Sequence, residues 1–315
     1  TKLRNKINFK EYIFMAFTAK DVMTLREKSG AGMLECKKAL TDADGDMEKA
    51  AELLRERGIV KAIKKEGRIA AEGAVGAYIC AACGAGVLVE INCESDFVSR
   101  GDKFHEIVDK VAKVIAADRP ANVDALNECK IDGDTVKNYI TNQTAVIGEK
   151  ISIRRFEIFD TKGKVETYIH MGGKVGVMVE AVDFKDGAEE TLHDVALQIA
   201  AAKPSYVNKS EVPAEVIAKE KEIMLVQMQN DPKNANKPAN ILEKIVEGKL
   251  GKFYQDNCLL DQAFVKDDSQ TVGQVIGSKF KVARFVRFEM GEGLEKKSEN
   301  LQDEVAKQVE AMKKN

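Results

Sequence analysis

The stretch YICAACGAGVLVE at residues 78–90 decides the fold, because it recurs ninety residues later as YIHMGGKVGVMVE at residues 168–180. The tyrosine, the isoleucine, a glycine, two valines and the final glutamate occupy matching places in the two copies. Each copy reads as an apolar run, a short turn containing glycine and a second apolar run, which is the pattern of a β-hairpin. The repeat therefore predicts an α+β core of two similar halves, each with a small antiparallel sheet.

Each predicted hairpin is followed by a segment whose apolar residues have helical spacing, and we expect these helices to cover one face of their sheets. The apolar positions are Phe104, Ile107, Val108, Val111, Val114 and Ile115 in the first half, and Leu192, Val195, Ala196, Ile199 and Ala200 in the second. The alternating stretch FKVARFVRFEM at 280–290 predicts a further strand. We assign residues 70–160 to the first half of the core and residues 161–289 to the second.

Three short helices are predicted between residues 18 and 57. Thr18 and Asp21 have the spacing of a capping box, the SGAG stretch at 29–32 interrupts the pattern, and Gly58 is expected to end the third helix. These helices and a basic connector form an N-terminal domain at residues 15–69. Residues 1–14 precede Met15 and carry no periodic pattern, so we expect them to be a leader that is non-native or disordered.

The second half contains an inserted helical hairpin at about residues 205–262. Two helical patterns flank the turn-rich sequence NDPKNANKP, and their apolar residues suggest an arm that resembles a coiled coil. These apolar residues include Ile217, Met224, Met228, Ile241, Ile245 and Leu250. Residues 290–315 are predicted to form a C-terminal helical module, with an amphipathic helix from Leu294 to Met312.

The composition narrows the class of protein. Charged residues make up 32% of the 315 residues, yet the net charge is only −2, so broad electrostatic binding of nucleic acid or anionic membrane is disfavoured. The sequence has no apolar run near the roughly 20 residues that a membrane-spanning helix needs. The six cysteines are expected to be reduced thiols in the cytoplasm.

Candidate chemical sites in the sequence are weak. Cys80 and Cys83 have the CxxC spacing, but a zinc site needs four ligands and a redox pair normally starts a helix, so we interpret them as structural or incidental. The DADGD stretch at 42–46 lacks the glycine and glutamate that a calcium loop requires at positions six and twelve. His105, His170 and His193 lie far apart in sequence. We therefore predict no covalent catalysis, no metal and no cofactor.

The stretch INCESDFVSR at 91–100 places a large aromatic residue, Phe97, where the first hairpin ends. In one interpretation Phe97 and Val98 tuck back as the first turn of the following helix. In the other, Phe97 is an aromatic anchor for the pocket of a partner. The repeat bears on this choice: Asp96-Phe97 follows Glu90 by six residues, whereas Asp183-Phe184 follows Glu180 by three.

Several segments resemble the family of bacterial elongation factor Ts, in the order that the family has them. They are LREKSGAGMLECKKAL, INCESDFVSR, IGEKISIRR, YIHMGGKVGVMVE, TVGQVI and RFEMGEGLEK, and the resemblance covers roughly residues 16–312. It implies a three-helix N-terminal domain similar to ubiquitin-associated (UBA) domains, a core of two α+β halves, a coiled-coil hairpin and a C-terminal helix. It also implies a guanine-nucleotide exchange factor, not an enzyme, that acts on the GTPase elongation factor Tu in translation elongation.

The resemblance implies which residues bind elongation factor Tu, matched motif by motif. Asp96 and Phe97, with Val98, correspond to residues that intrude beside the magnesium and phosphate site of the partner, and Ile147 and Gly148 correspond to neighbours of that intrusion. Met33, Leu34, Lys37 and Val265 match contacts to a helix of the GTPase domain, and His170 matches a contact to another domain. Position 266 departs from the family, because Lys266 stands where an apolar residue is expected.

The charge balance and the lack of a long apolar run lead us to expect no direct binding of nucleic acid or membrane. The resemblance implies complexes of 1:1 or 2:2 stoichiometry with elongation factor Tu, and a homodimer is the other assembly that stays open. Two other classes of function stay open on the sequence alone. One is an adaptor whose N-terminal domain binds ubiquitin-like partners, and the other is a thiol oxidoreductase that uses Cys80 and Cys83.

Overall fold

The structure is a computed structural model that describes residues 17–82, 84–230 and 239–295. The expectations for the leader at 1–14, for Met15, for Cys83 and for the helix beyond residue 295 fall outside these ranges. Among the described helices, none combines the length and apolar character that crossing a membrane requires.

The chain alternates helices and antiparallel strands. The helices are α1 (Ala19–Ser29), α2 (Met33–Asp42), α3 (Met47–Ile63), α4 (Asp96–Ser99), α5 (Asp102–Asp118), α6 (Val123–Glu128), α7 (Val136–Ile147), α8 (Glu189–Ala202), α9 (Ala214–Gln229), α10 (Ala239–Asn257) and α11 (Val272–Ile276). The strands are β1 (Glu72–Ile79), β2 (Ala85–Cys93), β3 (Lys130–Ile131), β4 (Asp134–Thr135), β5 (Ser152–Asp160), β6 (Lys164–His170), β7 (Val175–Val182), β8 (Ala263–Phe264), β9 (Asp267–Thr271) and β10 (Lys281–Glu289).

The contacts divide the chain into two compact units. The first contains the described residues up to Arg68 together with Lys137–Ile151, and the second contains Ile69–Val136 and the described residues from Ser152 onward. The domain boundaries expected from the sequence stay a prediction.

The first unit is built on α1, α2 and α3. The capping box of Thr18 and Asp21 starts α1, and Gly30 ends it in the left-handed conformation with φ 67°. The expectation that α3 ends at Gly58 is wrong, because α3 continues to Ile63. Gly58 is buried, and a Cβ there would lie 3.1 Å from Ala145 of α7, so this glycine permits close helix packing and does not end the helix.

The second unit contains two three-stranded antiparallel sheets, as the repeat predicted. The strand order is β1-β2-β5 in the first sheet and β10-β7-β6 in the second. Helix α5 packs on the first sheet and α8 on the second, so each half has the predicted helix on one face. The helical hairpin is also present, with α9 against α10, and its buried residues include Met228, Val246 and Leu250.

The central strands β2 and β7 are buried on both faces. All nine residues of β2 are buried, since one face meets α5 and the other meets the second sheet. This double burial explains why both strands read as continuous apolar runs. The layer between the sheets consists of Val75, Leu88, Phe159, Val165, Met178, Phe288 and Met290.

The glycine shared by the two repeat copies lets the sheets approach closely. A Cβ on Gly86 would lie 2.8 Å from the Met178 sulfur, and a Cβ on Gly176 would lie 3.0 Å from Leu88. Gly86 and Gly176 are repeat counterparts, and so are Leu88 and Met178. Each half therefore supplies the glycine that accommodates the side chain of the other.

Two buried glutamates join the strands within each sheet and connect the sheets to one another. Glu90 Oε2 accepts a hydrogen bond from Arg155 Nε at 2.7 Å, and its counterpart Glu180 accepts one from Arg284 Nε at 2.6 Å. The guanidinium of Arg155 lies 4.3 Å from the ring centroid of Phe288, in the other sheet. In the reciprocal contact, the guanidinium of Arg284 lies 4.2 Å from the ring centroid of Phe159.

Glu90 is the more heavily bonded of the two glutamates. Its carboxylate also accepts hydrogen bonds from the Gly291 amide at 2.8 Å and from Arg154 at 2.9 Å. Burial alone raises the pKa of Glu90, but the Gly291 amide and the two arginines outweigh it and lower the pKa below its ordinary value. Glu90 therefore stabilises the fold when it is ionised.

We predict that Glu90→Gln lowers the free energy of unfolding by about 2–3 kcal/mol near neutral pH, because it removes the buried charge that Arg154 and Arg155 share and leaves Arg155 only its exposed partner Glu292. Since the pKa is lowered on folding, this stability is present above the ordinary glutamate value of 4.5 and is lost as the pH falls below it. Urea denaturation at about pH 7 and about pH 4 measures the difference between wild type and variant.

The matched control is Glu180→Gln, because Glu180 is bound to a single arginine whose side chain is 47% exposed. We expect it to cost about 1 kcal/mol or less. A gap between wild type and Glu90→Gln that widened on acidification would contradict the assignment.

Candidate partner-binding site

The short helix α4 carries Asp96 and Phe97 and begins directly after the buried strand β2. Ser95 is its N-cap, since the Ser95 hydroxyl accepts a hydrogen bond from the Val98 amide at 3.3 Å. The Ser99 hydroxyl donates to the Asp96 carbonyl at 3.0 Å, and Ser99 is buried. The segment is therefore a helical turn with hydrogen bonds at both ends.

Phe97 projects from this turn into solvent. It is 86% exposed, the largest exposed fraction among the large hydrophobic side chains of the described residues. The interpretation in which Phe97 and Val98 tuck back as the first turn of the following helix is wrong, because Phe97 is exposed and its turn is separate from α5. An aromatic ring held outward on a capped turn is suited to enter the pocket of another molecule.

The counterpart in the second half points inward. Phe184 is half-buried against the core of the second sheet and stacks on Phe280 with ring centroids 5.7 Å apart. Asp183 is tied to Lys281 at 2.7 Å. The longer connection after β2 thus coincides with an outward Phe97, as the comparison of the two copies suggested.

Asp96 is paired on its own helical turn. Its carboxylate lies 2.8 Å from Arg100 Nη2, one turn later, and both side chains are largely exposed. Such an exposed pair contributes little to stability. It does hold the Asp96 carboxylate beside Phe97 in a defined orientation.

A cleft of about 290 Å³ separates α4 from the turn between β6 and β7. Asp96 and Arg100 line one side, and Met171 and Lys174 line the other. The turn is anchored by Gly173, whose carbonyl accepts a hydrogen bond from the Val75 amide of β1 at 2.8 Å. Sequence reasoning missed Met171, which is 67% exposed; an apolar residue inside a hairpin turn was the available signal.

His170 ends β6 directly before Met171 and is exposed. Its Nδ1 lies 2.9 Å from the Tyr168 hydroxyl, and the Tyr168 ring makes an edge contact with His193 of α8. His193 Nδ1 in turn lies 3.0 Å from Glu166 Oε1. The structure therefore brings together two histidines that seemed unrelated in the sequence.

The other predicted site residues lie in two places. In the first unit, Met33, Leu34 and Lys37 share the exposed side of α2, and Leu34 is 82% exposed. Ile147 and Gly148 lie at the end of α7. In the second unit, Val265 is half-exposed between β8 and β9. Each of these positions is exposed or partly exposed.

The loop that carries Val265 is held from both sides. The Val265 amide donates to Oε1 of the buried Gln198 at 2.8 Å. Lys266 Nζ lies 2.5 Å from Asp194 Oδ1, and this hydrogen bond raises the pKa of Lys266. The departure from the family at position 266 is thus accommodated as an ion pair with α8.

The cysteines give one correction. Cys80 is disulfide-bonded, so the expectation that all six cysteines are reduced thiols is wrong for this residue. Cys36, Cys93, Cys129 and Cys258 are thiols. Within the residues that the structure describes, no group of three or more His, Cys, Asp or Glu side chains could hold a metal ion.

Comparisons with known proteins agree on one family. The sequence profile of the family described as Elongation factor TS matches residues 94–292. Elongation factor Ts of Clostridium botulinum (strain Alaska E43 / Type E3) is 46% identical over 303 residues, which cover 93% of this chain and 99% of that protein.

Similar relatives come from other bacteria. Elongation factor Ts of Alkalilimnicola ehrlichii is 46% identical over 297 residues, covering 94% of this chain and 99% of that protein. Elongation factor Ts of Nitratiruptor sp. is 44% identical over 308 residues, covering 94% of this chain and 100% of that protein. The likeness therefore extends over nearly the whole of both chains.

We predict that Phe97→Ala changes the free energy of unfolding by less than about 0.5 kcal/mol, since the side chain has almost no neighbours to lose. The control is Phe104→Ala, because Phe104 on α5 is 1% exposed and its truncation leaves a cavity that costs about 3–5 kcal/mol. Urea denaturation of both variants checks this. A destabilisation of Phe97→Ala comparable with that of Phe104→Ala would show that Phe97 has a structural role.

Proposed function

Because this chain belongs to the elongation factor Ts family, we propose that it is the guanine-nucleotide exchange factor of the GTPase elongation factor Tu. The observation that supports the role most strongly is Phe97, 86% exposed on a capped helical turn. An aromatic side chain so exposed contributes little to the stability of the free protein. We infer that it contributes to the binding of a partner.

The proposed action is a mechanical displacement in the partner. Asp96 and Phe97 insert beside the site where elongation factor Tu holds magnesium and the phosphates of GDP. Those ligands are held by charge-assisted hydrogen bonds and by coordination bonds whose strength depends on geometry. A rigid aromatic wedge that shifts the surrounding segments therefore weakens both, and no covalent bond is made or broken.

A few contacts can supply the free energy that nucleotide exchange requires. A hundredfold loss of GDP affinity corresponds to about 2.7 kcal/mol. Truncation of one aromatic hot-spot residue in an interface commonly costs at least about 2 kcal/mol. Phe97 with its supporting contacts can therefore supply the coupling free energy.

The other proposed contacts hold Asp96 and Phe97 in position against the partner. We assign Met33, Leu34 and Lys37 of the three-helix domain, which we propose to be UBA-like, to a helix of the GTPase domain, together with Val265. Ile147 and Gly148 are further contacts, and His170 contacts another domain of the partner. All of these residues are exposed or partly exposed, which the assignment requires.

The helical hairpin has a peripheral role in this proposal. Helices α9 and α10 expose Ile223, Val226 and Ile241, and we assign this coiled-coil-like arm to self-association or a contact outside the exchange site. The arm would decide between 1:1 and 2:2 complexes. The proposed role in translation elongation places the protein in the cytoplasm.

The test is the release of fluorescent GDP from elongation factor Tu. We expect the wild-type chain to accelerate release, and Phe97→Ala to lower the rate per unit of added factor by about 30-fold. Ile63→Ala is the control, because it removes an aliphatic side chain that is 61% exposed and belongs to none of the proposed contacts. An absence of acceleration by the wild-type chain would refute the proposed function.

We also predict that GDP and this protein weaken each other's binding by the same factor, because coupling free energy is reciprocal. Titration calorimetry should show tight binding to nucleotide-free elongation factor Tu and binding about 100-fold weaker when GDP saturates it. Equal affinities in the two titrations would be incompatible with exchange by this route.

A further inference from the structure

The face of β6 that is turned toward α8 carries a connected row of polar side chains. Glu166, Tyr168 and His170 alternate along the strand, so their side chains lie on the same face of the second sheet. His193 of α8 completes the row, with its ring centroid 5.8 Å from that of Tyr168 and the two rings perpendicular. The proposed function uses only the last member, His170.

The central member of the row is held in place. Tyr168 is half-buried and packs against the core of the second sheet. The His193 ring stands perpendicular to the Tyr168 ring, and His193 is itself bound to Glu166 at 3.0 Å. The Tyr168 hydroxyl therefore has a fixed position, 2.9 Å from Nδ1 of the exposed His170.

The chemistry of this contact favours one arrangement of protons. A phenol hydroxyl is a donor and an acceptor, whereas a bare imidazole nitrogen can only accept. The phenol is the more acidic group and the imidazole nitrogen the more basic, so the favourable bond runs from the Tyr168 hydroxyl to Nδ1. The hydrogen bond at one ring nitrogen decides which nitrogen carries the proton.

We propose that Tyr168 is a positioning residue that holds His170 as the tautomer with hydrogen on Nε2. In that state His170 presents an N–H donor outward, and its complement on the partner is an oxygen acceptor, either a backbone carbonyl or a carboxylate. This inference rests on the proposed function, since it specifies how His170 would bind elongation factor Tu.

The first half of the repeat supplies an internal comparison. Tyr78 occupies the place of Tyr168, but the residue two positions later is Cys80, which is disulfide-bonded. The tyrosine is thus common to both halves, and only the second half combines it with an imidazole. Tyr78→Phe is consequently a matched control for the loss of a tyrosine hydroxyl.

The first measurement is made on the free protein. Long-range ¹H–¹⁵N spectra at about pH 8, where unperturbed imidazoles are neutral, report which nitrogen of His170 is protonated, with His170→Gln used for assignment. We expect protonated Nε2 in the wild type and a mixture of tautomers in Tyr168→Phe. Tyr78→Phe should leave the His170 signals unchanged. A His170 ring protonated on Nδ1 in the wild type would overturn the proposal.

The second measurement is a double-mutant cycle on binding to nucleotide-free elongation factor Tu. Tyr168→Phe should weaken binding about two- to tenfold, the effect of one lost neutral hydrogen bond. In the His170→Ala background the same substitution should have almost no effect, because Tyr168 acts through His170. An equal loss in both backgrounds would show that Tyr168 is merely structural and would overturn the proposal.

The two measurements separate this proposal from the proposed function. If the wild-type chain accelerates GDP release but His170→Ala binds normally, exchange stands and the partner-facing donor is refuted. If the wild-type chain does not bind elongation factor Tu, the proposed function and the partner-facing donor both fail. The spectrum of the free protein decides the tautomer in either case.

Discussion

Two buried glutamates set the register of the sheets in the second unit: Glu90 faces the second sheet, and Glu180 faces the first. Glu90 and Glu180 are buried on the central strands, so each requires a cation in one defined place. Arg155 and Arg284 provide it from the neighbouring strands and rest on Phe288 and Phe159 of the opposite sheets. A shift of register by one residue would turn the glutamates toward the helices and separate each of them from its arginine.

This constraint fixes the position of the candidate site. Because the register of β2 is set, the chain leaves the first sheet at Cys93 and forms the capped turn that carries Phe97. Because the register of β7 is set in the same way, the turn at Met171 lies across the cleft from Asp96. Binding groups placed on such a scaffold keep their positions, as the proposed displacement of a partner's ligands would require.

The two halves show how a repeat can separate structure from function. In the second half, Phe184 packs inward and contributes to the core. In the first half, three more residues separate the glutamate from the Asp-Phe pair, and Phe97 faces solvent. The two halves also differ at the turns of their hairpins. There the repeat counterparts are Cys80, which is disulfide-bonded, and His170, which is bound to Tyr168.

The hairpins and long helices could be predicted from the sequence, because a period of two or 3.6 residues is a local signal. The outward Phe97 was only one of two interpretations, since exposure depends on the packing of segments distant in sequence. Gly58 was misjudged because its close neighbour, Ala145, lies 87 positions away in the chain. For the same reason the link between His170 and His193 through Tyr168 could not be found from spacing.

The measurement that tests the wedge most directly is the rate of GDP release from elongation factor Tu at saturating concentrations of the factor. If Phe97 creates the coupling between the two ligands, the saturating rate with Phe97→Ala should fall at least tenfold below the wild-type rate. If the saturating rate were unchanged and only the concentration for half-saturation rose, Phe97 would contribute affinity alone, and exchange through an aromatic wedge would be contradicted.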